Sequence, residues 1–183
     1  MSLAGSTTLP TAFTDAADRP RTWAESRFIL VFVLLLLAML LLMTELYVGF
    51  QAGDDKSYLT GALGWVESFP FVGPDHWTLW HTFTLPTAAF LKLFGFNEFA
   101  VSLTNSLYFI LFVVMNAGFV QRFLGAGSAA ITTFLIISLP GFIVLSTFLD
   151  IGIPEIFFVS PAFCCFRLAL DMPQRFGPPA TII

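Results

Sequence analysis

Residues 28 to 50 read FILVFVLLLLAMLLLMTELYVGF, and this stretch decides the fold class. At ~1.5 Å of rise per residue a helix over it crosses a hydrocarbon core of ~30 Å with some tilt. The rest of the composition agrees. Of 183 residues, 57% are hydrophobic and 11% charged, and phenylalanine occurs 23 times. A soluble domain carries about 25% charged residues. The eight Lys and Arg are scattered, which excludes a nucleic-acid-binding patch. Cys164 and Cys165 are adjacent in an apolar run, so they read as small apolar residues against lipid or a neighbouring helix.

Upstream, Arg19, Arg21 and Arg27 precede the apolar run and no A-x-A cleavage pattern follows it, which predicts an uncleaved signal anchor. Residues 1 to 27 are polar and read as a flexible cytoplasmic tail. Downstream, FAVSLTNSLYFILFVVMNAGFVQ (99 to 121) and FLGAGSAAITTFLIISLPGFIVLSTFL (123 to 149) contain no charge. Arg122 and the small residues GAGSAA connect them, and Pro140 kinks the second or marks its bend at the far interface. A weaker fourth crossing is IGIPEIFFVSPAFCCFRL, 151 to 168.

The fold class that follows is an all-α membrane protein with about four transmembrane helices. The transmembrane domain is 28 to 170, and a short tail, 171 to 183, closes the chain. Residues 51 to 98 form one outer loop with two short amphipathic helices lying at the interface, roughly 56 to 68 and 78 to 94. A crossing by residues 77 to 96 is disfavoured by charge. With four crossings, Arg19, Arg21, Arg27, Arg122, Arg167 and Arg175 fall inside and only Lys56 and Lys92 outside. The chain thus reads as an integral protein of the plasma (inner) membrane with a cytoplasmic N-terminus.

Just after the first run stands FQAGDDKSYLTGALGWVES, 50 to 68, with Asp54 and Asp55 side by side. Asp75, Glu98, Asp150 and Glu155 fall on or near the same face. A carboxylate at the water–membrane boundary is partly desolvated, which raises its proton affinity and suits it to act as a base. The plain alternative is a helix start whose carboxylates face the dipole and cap free amides. His76 and His81 are five apart, which suits no metal pair on one helical face, and no metal is predicted. Tyr58 and the tryptophans read as interfacial belt residues ahead of platforms for a sugar.

Several strings in this order resemble the N-terminal part of the GT-C membrane glycosyltransferases, the ArnT-like and protein-mannosyltransferase-like group. They are GDDKSYLTGA (53 to 62), DHWTLWHTFTLPTAAFLKLFG (75 to 95), FGFNEFAVSL (94 to 103) and LPGFIVLSTFLDIGIPEIFF (139 to 158). Two positions depart from the pattern: Thr78 stands where the group tends to have proline, and Ser102 where it usually has arginine. The resemblance implies a sugar transferase using a polyprenyl-phosphate donor, without a cofactor. It implies Asp55 as base, with Asp54 as its rival. Lys56, Tyr58, His76, His81, Asp150 and Glu155 become candidates for binding substrate. Members of the group have many more spans. The chain therefore corresponds either to the N-terminal portion of such an enzyme or to a non-catalytic subunit packed against a larger membrane complex.

Overall fold

The computed structural model describes residues 23–50 and 53–176, with side chains placed for 26–50 and 53–170. The tail at 1–22, with Arg19 and Arg21, and the end of the chain at 177–183 lie outside the described residues. All regular structure among the described residues is helical: α1 Trp23–Glu45, α2 Asp55–Glu67, α3 His81–Phe94, α4 Glu98–Ser138, α5 Pro140–Leu145 and α6 Gly152–Phe176. Three helices are long and apolar enough to cross a membrane, over Ser26–Glu45, Glu98–Ser138 and Gly152–Leu170.

Helix α1 is apolar all round. Phe28, Met39 and Met43 are buried against the bundle, while Leu30, Leu34, Leu37 and Leu41 form an exposed stripe on the other side. A helix with this pattern needs an apolar surrounding on its outer face.

Helix α4 is two arms. Gly125 breaks the helical backbone with φ 85° and ψ 171°, a conformation that glycine adopts without a Cβ clash. The arms fold back on each other. The Asn105 side chain reaches the carbonyl of Leu145, Ser106 reaches Ser146, Phe109 stacks on Phe142, and Phe112 meets the same ring at a tilt. Near the fold-back, Ala117 and Ala129 pack with Phe28 of α1; such small residues let backbones approach closely. The second arm stops at Ser138, because the residue before a proline is disfavoured in the helical region. Leu139 is extended, and Pro140 opens α5 at a first-turn position, where its missing N–H is no loss.

Helix α6 runs alongside the first arm of α4 and in the same direction. Tyr108 meets Phe157 and Phe158, and Asn116 bonds Ser160 at 3.1 Å. It extends past the 151–168 expected for it, from Gly152 to Phe176.

The position of α3 corrects an expectation. It does not lie flat across the end of the bundle but stands antiparallel against α4. Phe94 meets the Phe99 ring, the Thr87 and Thr104 hydroxyls lie 2.8 Å apart, and the Tyr108 hydroxyl donates to the Thr82 carbonyl. Pro86 sits inside α3 and has no N–H, so the carbonyl four residues back, that of Thr82, lacks its helical donor. Tyr108 supplies one from the neighbouring helix. The tight α3–α4 turn comes from Gly95, with φ 77°, and from Asn97, whose side chain accepts from the Ala100 amide at 2.8 Å.

This connectivity sorts the charges. The start of α1, the Gly125 fold-back and the second half of α6 share one end, which carries Arg27, Arg122 and Arg167. The end of α1, helices α2 and α3, the start of α4 and the α5–α6 turn share the other. Glu45, Asp54, Asp55, Glu98, Asp150 and Glu155 are all there.

Candidate functional site

The N-terminus of α2 and the α5–α6 turn meet at the acidic end. Asp54 precedes α2, and its backbone carbonyl accepts from Ser57 at 2.9 Å. Its side chain caps no amide and is exposed. Asp55, the first residue of the helix, is buried, with 5% of its surface accessible. The two carboxylates therefore divide: one faces solvent and the other faces the fold.

Asp150 approaches from the other element. Its Oδ1 accepts from the Gly152 amide at 2.7 Å, which holds the first turn of α6. Its backbone carbonyl is fixed by Asn105 Nδ2 at 2.7 Å. The same nitrogen lies 2.6 Å from the Phe148 carbonyl and 3.1 Å from that of Leu145. Asn105 is fully buried on α4, and its Oδ1 has no partner. One amide thus anchors the whole turn that presents Asp150. Glu155 follows in the first turn of α6 and is exposed.

Tyr58 records how these groups converge. Its phenol is pushed up to about 12, first by burial and then by the negative charges of Asp54, Asp150, Glu155 and Asp55, in that order. All four carboxylates thus bear on one hydroxyl, although Asp54 and Glu155 are a hundred residues apart in sequence. Tyr58 stays protonated through the neutral range, so it acts as a hydrogen-bond donor and not as a base. Two helix N-termini face this cluster, and their partial positive charges offset part of the repulsion among the acids.

The aromatic loop closes one flank. Tyr58 makes edge contacts with Trp77, at 5.8 Å between centroids, and with Phe83, at 5.2 Å. His76 lies over Trp77 at 4.2 Å, and His81 meets Trp65 at 5.2 Å. His76 therefore joins the Tyr58 side through Trp77, whereas His81 packs against α2 further along. Thr78 is held by Asp75, whose Oδ1 accepts from the Thr78 amide at 2.9 Å. Gly61 is needed here: a Cβ on it would lie 3.0 Å from the Thr78 backbone. Lys56 is exposed beside the pair. Among the described residues no three His, Cys, Asp or Glu side chains are placed to hold one metal ion.

Sequence reasoning did not single out Asn105 as the anchor of Asp150, nor the groove between α1 and α4 lined by Tyr47, Glu98, Ser102 and Thr147. A polar amide within an apolar run was the only signal for the first. The second needs two helices that are distant in sequence, and no local pattern announces it.

No family model matches the sequence, and no curated protein or solved structure matches it. What the fold and the site define is an all-helical chain suited to a membrane, with a carboxylate cluster at one end.

Proposed function

We propose that the chain is the N-terminal portion of a membrane glycosyltransferase that takes its sugar from a polyprenyl-phosphate donor. In this reading the bundle crosses the inner membrane four times, through α1, the two arms of α4 with α5 continuing the second, and α6. Its N-terminus is cytoplasmic and its acidic end faces outward. The fold-back at Gly125 and the segregation of arginine from carboxylate support that topology.

The observation that carries the reading is the convergence of Asp54, Asp55, Asp150 and Glu155 on Tyr58 at the end of the spans. Asp55 is the base. Its carboxylate takes the proton of an acceptor hydroxyl as the hydroxyl oxygen bonds to the anomeric carbon. The bond from that carbon to the phosphate oxygen breaks, and polyprenyl phosphate leaves with the bonding pair. In this reading Asp54 and Glu155, both exposed, bind the acceptor, and His76, which packs on Trp77, is a further candidate to bind it. Lys56 is the basic group nearest in sequence to balance the phosphate.

Lipid-linked sugar transfer, measured in membranes holding the longest natural form of the chain, tests this with Asp54→Asn and Asp55→Asn made separately. The expected result for Asp55→Asn is a loss of about 100-fold or more, the range for removing a general base, with a smaller loss for Asp54→Asn. Full transfer in both variants excludes the pair. Orientation is checked by Gly53→Cys, which must label from outside, and Leu124→Cys, which must label from the cytosol.

A second reading, a non-catalytic subunit of a larger membrane complex, is favoured by one observation. Lys56 is the one basic residue in α2 or in the first turns of α4 and α6, which is sparse provision for a phosphate leaving group. A stoichiometric partner that copurifies in mild detergent, together with no transfer activity, selects it.

A further inference from the structure

Two cavities at the acidic end share a wall. The inner one, about 580 Å³, runs between the last turns of α1 and the first turns of α4, with Leu40, Met43, Phe99, Leu103 and Ile110 among its lining. The outer one, about 240 Å³, lies toward Phe50, Phe96 and Asn97. Tyr47, Glu98, Ser102 and Thr147 line both, so the two form one groove with a polar waist. The inner part flanks Leu40 to Tyr47, whose helical portion, Leu40 to Glu45, is about 8 Å long at ~1.5 Å per residue. This is the depth of the apolar end of the span, and its walls are suited to a hydrocarbon chain.

The polar atoms of the groove are biased toward accepting. The hydroxyl protons of Thr44, Ser102 and Ser106 go to the carbonyls of Leu41, Phe99 and Ser146, and that of Thr147 to Val144. The Thr44 and Ser106 oxygens keep lone pairs for the groove, while that of Thr147 also accepts from the Val48 amide at 3.3 Å and Ser102 pairs with the Tyr47 side chain. Asn97 spends its amide protons on Phe94 and Gly95. Glu98 adds a carboxylate, and among the described residues no lysine or arginine lines either part. A wall rich in acceptors, with one negative charge and no positive one, repels a phosphate or carboxylate and matches an ammonium group.

We propose that this groove binds a single-chain amphiphile whose primary ammonium stands directly at the head of its hydrocarbon chain, an alkylamine or sphingoid-base type of ligand. The ammonium meets Glu98 at the waist and the chain occupies the inner part. The groove's chemistry is independent of whether Asp55 moves a sugar.

The test uses the full chain in nanodiscs of neutral phosphatidylcholine, given an equimolar mixture of decylamine, decanol and decanoate, with retained ligand counted by native mass spectrometry. The chain is common to all three, so only the head differs. Decylamine is expected to be retained about tenfold over decanol, the ratio that a hydrogen bond to a charged group commonly contributes, and decanoate least. Glu98→Gln should bring decylamine and decanol to parity, and Leu103→Trp, which fills the inner part, should lose both. Equal retention of the three by the unaltered chain overturns the proposal. So does an amine preference that survives Glu98→Gln, or undiminished decylamine in Leu103→Trp.

Discussion

The docking of α3 on α4 makes a quantitative prediction through one hydroxyl. Pro86 leaves the Thr82 carbonyl without its helical donor, and Tyr108 of α4 donates in its place. Tyr108→Phe deletes that hydroxyl alone: the ring keeps its contacts with Phe157 and Phe158, whose centroids lie 5.3 Å and 5.7 Å away. A buried acceptor left unsatisfied costs about 1–3 kcal/mol. The bond is only part-buried, so the expected loss lies near the lower end, ~1 kcal/mol. Pro86→Ala restores an N–H four residues after Thr82. In that background the carbonyl keeps a partner, and Tyr108→Phe should cost only a few tenths of a kcal/mol, roughly the loss of a redundant donor. The coupling between the two positions is therefore ~1 kcal/mol, inside the range for residues that share one hydrogen-bond network. Unfolding of the four proteins in detergent, followed by tryptophan fluorescence, measures the cycle. Equal costs of Tyr108→Phe in both backgrounds refute the idea that the proline creates the need for the tyrosine.

Two further outcomes are expected. Asn105→Ala should destabilise by roughly 2–3 kcal/mol, more than the ~0.6 kcal/mol average of a single interhelical bond in a membrane protein, because the Asn105 amide nitrogen serves the carbonyls of Leu145, Phe148 and Asp150. The same unfolding assay checks it, and a loss below that average sinks the anchoring role. For Tyr58, folding raises the phenol from 10.0 to about 12, so the folded state holds a proton that the unfolded state gives up across that window. Stability should be unaffected by this group below pH 10.0 and fall as pH rises toward about 12. Phenolate absorbance compared with Tyr58→Phe tests this: the component lost in the variant must be the late one.

The long apolar helices are legible because long uncharged runs, the kind a lipid surrounding demands, stand out at residues 28 to 50 and 99 to 149. The fold-back is legible for a related reason, since small residues with Gly125 among them interrupt an otherwise continuous apolar helix. The orientation of α3 is not. Its apolar stripe reads the same whether it faces lipid headgroups or another helix, and counting basic residues reports only which side of the membrane a segment occupies. The contacts that stand it upright, Thr87 to Thr104 and Tyr108 to Thr82, are polar pairs at sequence separations of 17 and 26. No local period encodes them.

The acidic site divides in the same way. Asp54 and Asp55 attract notice because they follow a span, but their meeting with Asp150 and Glu155 is a product of chain connectivity. The folded-back arms of α4 return the chain to the end where it left α1, and α5 terminates beside the start of α4. Asn105 then fixes the turn between α5 and α6 through its carbonyls, so that Asp150 is held by main-chain geometry rather than by a cation among the described residues. Four carboxylates can gather there because α2 and α6 both begin at that place, and the amide groups at their first turns supply partial positive charge. The cluster therefore depends on two helix starts lying near one residue, Tyr58. A change that moves either start should disperse the charges around Tyr58 without altering any acidic residue.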